Sequence, residues 1–122
     1  MNRKQLRELV YAKYDGHCAY CGRKIDMKDM QIDHLVPIFR GRHDEYINTI
    51  RGKDDVSNYM PACRSCNFRK DTYNIETFRK EIGLQAERLM ATFQGRMSSV
   101  YGLIQYTPHK IEFYFEKRGN KK

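Results

Sequence analysis

Apolar residues recur at helical spacing near the start of the chain. Leu6, Leu9, Val10 and Tyr14 fall on one face behind Asn2, a residue type that caps helices, so a short amphipathic helix is expected, ending at Asp15-Gly16. Residues 30–39 (MQIDHLVPIF) read instead as extended chain, because Ile32, Val36 and Ile38 are β-branched and Pro37 forbids a continuing helix. Residues 40–57 are polar and charged and read as a loop or a pair of short elements. A second extended piece over 58–61 leads into Cys63-Arg64-Ser65-Cys66-Asn67, which is expected to open a helix towards Lys70. After Asn74, another cap, Ile75, Phe78 and Ile82 make a further helical stripe that Gly83 should stop. The next helix should turn Leu89, Phe93 and Met97 to the core. Ile111, Phe113 and Phe115 then alternate with Glu112, Tyr114 and Glu116, which is strand periodicity, and residues 117–122 (KRGNKK) read as a frayed basic tail.

A chain of 122 residues has room for one domain, and with 31% charged residues its buried apolar surface is modest, so an additional staple is expected. Lysine and arginine (23) exceed aspartate and glutamate (15), giving a net charge of +8. That excess favours a polyanionic partner. Residues 1–10 lack the apolar stretch of a secretory signal, and no apolar run reaches membrane-spanning length. The expected setting is therefore a reducing cytoplasm, where paired cysteines hold metal more often than they form disulfides.

Cys18-x-x-Cys21 and Cys63-x-x-Cys66 are two matched pairs, and each can clamp two vertices of a tetrahedron. Four thiolates suit Zn²⁺, and with no open position the zinc would be structural. The 41 residues between the pairs (22–62) exceed a simple zinc-ribbon gap, so something folded hangs between the two knuckles. A redox-active Cys-x-x-Cys is the alternative, which the absence of a βαβ pattern disfavours.

Between the knuckles lie Ile32-Asp33-His34-Leu35-Val36-Pro37 and then Ser57-Asn58, and Asn67 follows the last cysteine. The pieces C-A-Y-C-G, I-D-H-L-V-P, S-N-Y-M-P-A-C and R-S-C-N-F-R-K, spread over residues 18–70, resemble HNH endonucleases, the ββα-metal or His-Me nucleases, in the four-cysteine form that includes phage junction resolvases. The resemblance implies an α+β fold: a β-hairpin and helix carry the site, the four-cysteine zinc site ties its ends, and flanking helices and a C-terminal strand complete the core. It implies one domain over 1–122, with its motif core at about 18–70 and an extension at about 74–116.

The activity implied is metal-dependent hydrolysis of a nucleic-acid phosphodiester, DNA foremost. His34 would be the general base, Asp33 and Asn67 would present oxygens to a catalytic Mg²⁺ or Mn²⁺, and Asn58 would pin the loop that aims His34. Neighbours on a strand point to opposite faces, so Asp33 and His34 can flank one phosphate only where the strand ends or bulges. Two features depart from the family pattern. Asn67 stands where histidine is usual, and the stretch from His34 to Asn58 is long, with Arg40, Arg42, His43, Arg51 and Lys53 crowded into it. His43 is a second-ranked base. Arg40, Arg42, Arg64, Arg69 and Lys70 are the expected phosphate contacts. Tyr20 and Phe68 should pack against the knuckles, His17 should cap the first knuckle, and His109 has no evident partner. The rival reading is a zinc-containing nucleic-acid-binding module without chemistry. For residues 71–122, a homodimer contact or a phage packaging partner stays open.

Overall fold

The computed structural model describes residues 1–38 and 52–119. Its first helix, α1 (Arg3–Ala12), begins with a reciprocal cap: the Gln5 amide donates to Asn2 Oδ1 at 2.8 Å and the Asn2 amide donates to Gln5 Oε1 at 2.9 Å. Val10 is fully buried, but Leu9, expected to face inward, is 43% exposed at the margin of the stripe. The turn that follows the helix passes through Asp15 and Gly16, both at positive φ (53° and 79°), where the chain reverses.

Strands β1 (Gln31–His34) and β2 (Tyr59–Ala62) pair antiparallel, with Ile32 opposite Pro61 and His34 opposite Tyr59. Among the described residues this is the whole sheet. Alternation splits its side chains between two faces. Helix α2 (Arg64–Lys70) packs on the face of Asp33 and Met60, while α1 lies against the hairpin at β2, its Lys13 ammonium donating to the Tyr59 carbonyl at 2.6 Å. The first cysteine turn lies against β2, the Ala19 amide donating to the Pro61 carbonyl at 2.8 Å.

The α+β class is as expected; two parts of the extension are not. Helix α3 (Ile75–Met90), capped by Asn74, runs straight through Gly83. A glycine costs about 1 kcal/mol inside a helix, and it stops one only where the chain turns left-handed, which Gly83 does not do. A Cβ there would meet Ile111 at 3.9 Å, an ordinary contact, so the packing around Gly83 does not require glycine. The break comes at Thr92, whose hydroxyl caps α4 (Phe93–Val100); a Cβ on Gly95 would lie 2.0 Å from the Leu89 carbonyl oxygen, so this tight turn needs glycine. Because α3 carries the chain past the core before it turns, Leu89, Phe93 and Met97 are 59%, 68% and 37% exposed and do not face inward.

The expected C-terminal strand is absent. Residues 111–113 are irregular and lead into α5 (Tyr114–Gly119). Ile111, Phe113 and Phe115 do turn inward, but as separate anchors. Phe113 stacks on Phe78 with ring centroids 5.2 Å apart, and Tyr20 meets Phe78, Phe113 and Phe115 edge-on. Glu116 reaches back to accept from the Phe113 amide at 2.9 Å, which starts a helix where alternation predicts extended chain. Lys117 and Arg118 belong to this helix and are not frayed; Arg118 pairs with Asp15 at 2.8 Å. Among the described residues no helix is long and apolar enough to cross a membrane.

Candidate functional site

The two cysteine pairs are built by different local means. In the first, the Cys18 amide donates to the Arg23 carbonyl at 2.8 Å and the Gly22 amide to the Cys18 carbonyl at 3.0 Å, closing a turn that Gly22 makes at φ +81°. His17 flanks this turn, stacked on Tyr114 at 5.4 Å. In the second, Cys63 is itself the N-cap of α2 and accepts from the Cys66 amide, so both sulfurs sit at the start of the helix. The four sulfurs lie within 4.8 Å of one another, Cys21 and Cys63 at 3.9 Å. Tetrahedral zinc with Zn–S bonds of ~2.3 Å requires sulfurs about 3.8 Å apart, so the donor set and its spacing fit that ion. All four thiols are free. A hydrogen bond from Cys66 holds Cys18 down to about 4, and the same bond pushes Cys66 up. Arg23, which sequence reasoning missed, donates to Cys21 Sγ at 3.2 Å and to Cys63 Sγ at 3.5 Å, placing a cation against the thiolates.

Asp33 and His34 occupy the end of β1, the place where neighbouring side chains can diverge towards one site. Asp33 is buried, and its Oδ2 accepts from the Tyr20 hydroxyl at 2.5 Å and from the Lys70 ammonium at 3.0 Å. Burial and the Asp33 charge push the Tyr20 phenol far up, so it stays a donor. Lys70 also donates to the His34 carbonyl at 2.9 Å and has no exposed surface. It cannot contact a phosphate. The reason lies in packing: α2 crosses the hairpin so that its last turn points at Asp33, and Lys70 there neutralises a buried carboxylate.

His34 Nε2 lies 3.0 Å from Asp54 Oδ1, which also accepts from the Tyr59 hydroxyl at 2.7 Å, and the His34 and Tyr59 rings meet edge-on at 5.1 Å. Asp54 was not foreseen; an Asp-Asp doublet in a charged loop carries no signal of its own. Asn58 is buried and closes the loop after β1. Its Oδ1 accepts from the Val36 amide at 2.9 Å, and its Nδ2 donates to the Val36 and Lys53 carbonyls at 2.8 and 2.9 Å. Its own carbonyl accepts from the Leu35 amide at 2.9 Å. Asn67 stands one helical turn before Lys70 and so shares the α2 face that meets Asp33. Among the described residues no hydrogen bond engages the Asn67 side chain or Asp33 Oδ1.

The other expected phosphate contacts are dispersed. Arg69 is tied to Glu81 at 3.4 Å and Gln85 at 2.6 Å, and Arg64 is exposed and 3.9 Å from Asp29. Arg40, Arg42, His43 and Arg51 lie outside the described residues. Phe68 is 86% exposed on α2 and does not pack on a knuckle, whereas Tyr20 does lie in the core.

The family model for HNH endonuclease matches residues 18–72. Among curated proteins the chain is similar to YoqL of Bacillus subtilis (strain 168), SPbeta prophage-derived, whose name carries the HNH endonuclease description as a provisional one. The two are 35% identical over 69 residues, which cover 52% of this chain and 26% of that protein. The chain thus spans about a quarter of that relative's length. Among solved structures it is similar to the Type II-C Cas9 enzyme from Actinomyces naeslundii, with a TM-score of 0.52 and 21% identity, over 85% of this chain and 10% of that one. At that identity the likeness speaks to the fold.

Proposed function

We propose, from the match of residues 18–72 to the HNH endonuclease family model, that this chain hydrolyses nucleic-acid phosphodiester bonds, DNA foremost, with a divalent cation and His34 as general base. One observation supports this reading above the others. Asp33 and His34 sit together at the end of β1, α2 lays the free amide of Asn67 on the same side as Asp33, and Asn58 pins the loop between them.

Asp33 and Asn67 would hold the cation, Mg²⁺ or Mn²⁺, since both offer hard oxygen donors that no other described residue engages. When bound, such an ion stabilises charge on the phosphate and the leaving oxygen. The chain's own residues do the rest. With Nε2–H directed at Asp54, His34 keeps Nδ1 free to take a proton from water. Lys70 fixes Asp33 from within, and the cysteine cluster, as a structural zinc site, anchors the start of α2.

Incubating the protein with supercoiled plasmid, with and without Mn²⁺, tests the reading. The parent should nick or linearise the plasmid only with the ion, and His34→Ala should fold and bind yet cut roughly 10² to 10⁴ times more slowly. Equal cutting by parent and variant removes His34 from the role. Binding without cutting by either would favour a zinc-containing binding module.

A further inference from the structure

With Lys70 buried and Arg69 held by Glu81 and Gln85 of α3, two of the expected phosphate contacts are engaged within the chain. A groove of about 600 Å³ lies between α1 and the start of β1, lined by Arg3, Leu6, Arg7, Lys28, Met30, Gln31 and Ile32. Every charged residue in this lining is basic. Arg7 forms the wall, its guanidinium donating to the Met27 and Met30 carbonyls at 2.7 and 3.0 Å, whereas Arg3 and Lys28 are exposed and enter no ion pair among the described residues. Asp29, next to Lys28 in sequence, lies 3.9 Å from Arg64.

The groove also points somewhere. Ile32 in its lining and His34 share one face of β1. The pairings Ile32 with Pro61 and His34 with Tyr59, and the edge-on His34–Tyr59 contact, fix that face. Two residues along a strand span roughly 7 Å. That distance is about two nucleotide steps at ~3.4 Å rise per step on one strand.

We propose that this groove is a second nucleic-acid site, in which Arg3 and Lys28 hold backbone phosphates of the strand flanking the bond at His34. The inference rests on the nuclease reading and adds a binding surface that uses none of the residues proposed for catalysis. The apolar floor of Leu6, Met30 and Ile32 suits the sugar edge of a strand and offers no pattern of donors to read bases, so the grip is on backbone and independent of sequence.

The test measures affinity for a fluorescein-labelled DNA duplex across a salt series, in a His34→Ala background that prevents cutting. Arg3→Glu combined with Lys28→Glu should weaken binding and make the dependence of log Kd on log salt shallower by about 1.8, or 0.9 per phosphate. Lys80→Glu combined with Lys110→Glu changes the net charge equally, away from the groove, and should keep the parental slope. If the reversed pair loses helical circular dichroism, Arg3→Gln with Lys28→Gln replaces it with the same expectation. A slope equal to that of the Lys80/Lys110 control overturns the groove while leaving the nuclease reading intact, provided the His34 parent cuts plasmid. A parent that neither binds nor cuts DNA overturns both.

Discussion

Lys70 shows how a single side chain changes meaning with its surroundings. A lysine at the end of a short helix is ordinarily a solvated charge, yet here its ammonium is sealed between Asp33, the His34 carbonyl and the Tyr20 ring, 5.9 Å beneath it. Removing one partner of a buried ion pair leaves an uncompensated charge and costs about 3–5 kcal/mol. Lys70→Met should therefore lower unfolding free energy by that order in denaturant titrations, with no change in the salt slope of DNA binding. A changed slope with unchanged stability would return Lys70 to the surface. Asn58 works by a different route, since its amide closes the Val36–Lys53 loop through three hydrogen bonds. Asn58→Ala leaves buried backbone groups unpaired at about 1–3 kcal/mol and should slow plasmid cutting while zinc content stays at the parental level. At this scale the sequence was legible where chemistry fixes spacing: Cys18, Cys21, Cys63 and Cys66 converge within 4.8 Å of one another. It was not legible where the outcome depends on the direction from which α2 crosses the hairpin, which decides that Lys70 is inside and Phe68 outside.

At the scale of elements, α5 depends on an ion pair that alternation of apolar residues conceals. Arg79 on α3 forks onto Glu116 at 2.6 and 2.8 Å and lies 5.0 Å from the Phe113 ring centroid. The Arg79 guanidinium holds the Glu116 carboxyl below its ordinary value. A carboxylate depressed in the folded state stabilises above its unfolded pKa, about 4.3, and loses that contribution as pH falls through the depressed value. Glu116→Gln should consequently melt below the parent at neutral pH, and the gap should close as the solution is acidified past pH ~4. A gap independent of pH would mean that the side chain acts through packing alone. The sequence pattern Ile-Glu-Phe-Tyr-Phe-Glu satisfies strand spacing, but a strand also needs an edge to pair with. The carbonyls that the knuckle presents, Ala19 and Tyr20, accept from the Phe115 and Tyr114 amides at 2.8 and 3.0 Å, and they suit the first turn of a helix. Helix α3 was legible from Asn74 to Ile82, and its further length was not, because a glycine in helical conformation looks the same in sequence as one that ends a helix.

Across the whole molecule, the cysteine cluster joins segments that are otherwise held by a small core centred on Tyr20, Phe78 and Phe113. Structural zinc contributes on the order of 10 kcal/mol in small domains, comparable with the full stability of a chain this size. Cys63→Ser should thus lose zinc, cooperative melting and DNA binding together, unlike His34→Ala; a folded, zinc-free Cys63→Ser protein would deny the cluster that role. The knuckle does not stand alone, however. Tyr114 occupies the space above Gly22, where a Cβ would come within 2.8 Å of its ring, and α5 takes its first two hydrogen-bond acceptors from the same turn. Binding of an ion by the cysteines and docking of the last helix would therefore act on one turn, residues 18–22, and any coupling free energy between them must be the same read from either side. Whatever factor the ion adds to the closed population of α5, a docked α5 adds to the affinity for the ion. Hydrogen exchange at the Tyr114 and Phe115 amides should slow on zinc loading, and Glu116→Gln should weaken zinc affinity in a chelator competition by no more than the factor by which zinc slows that exchange in the parent.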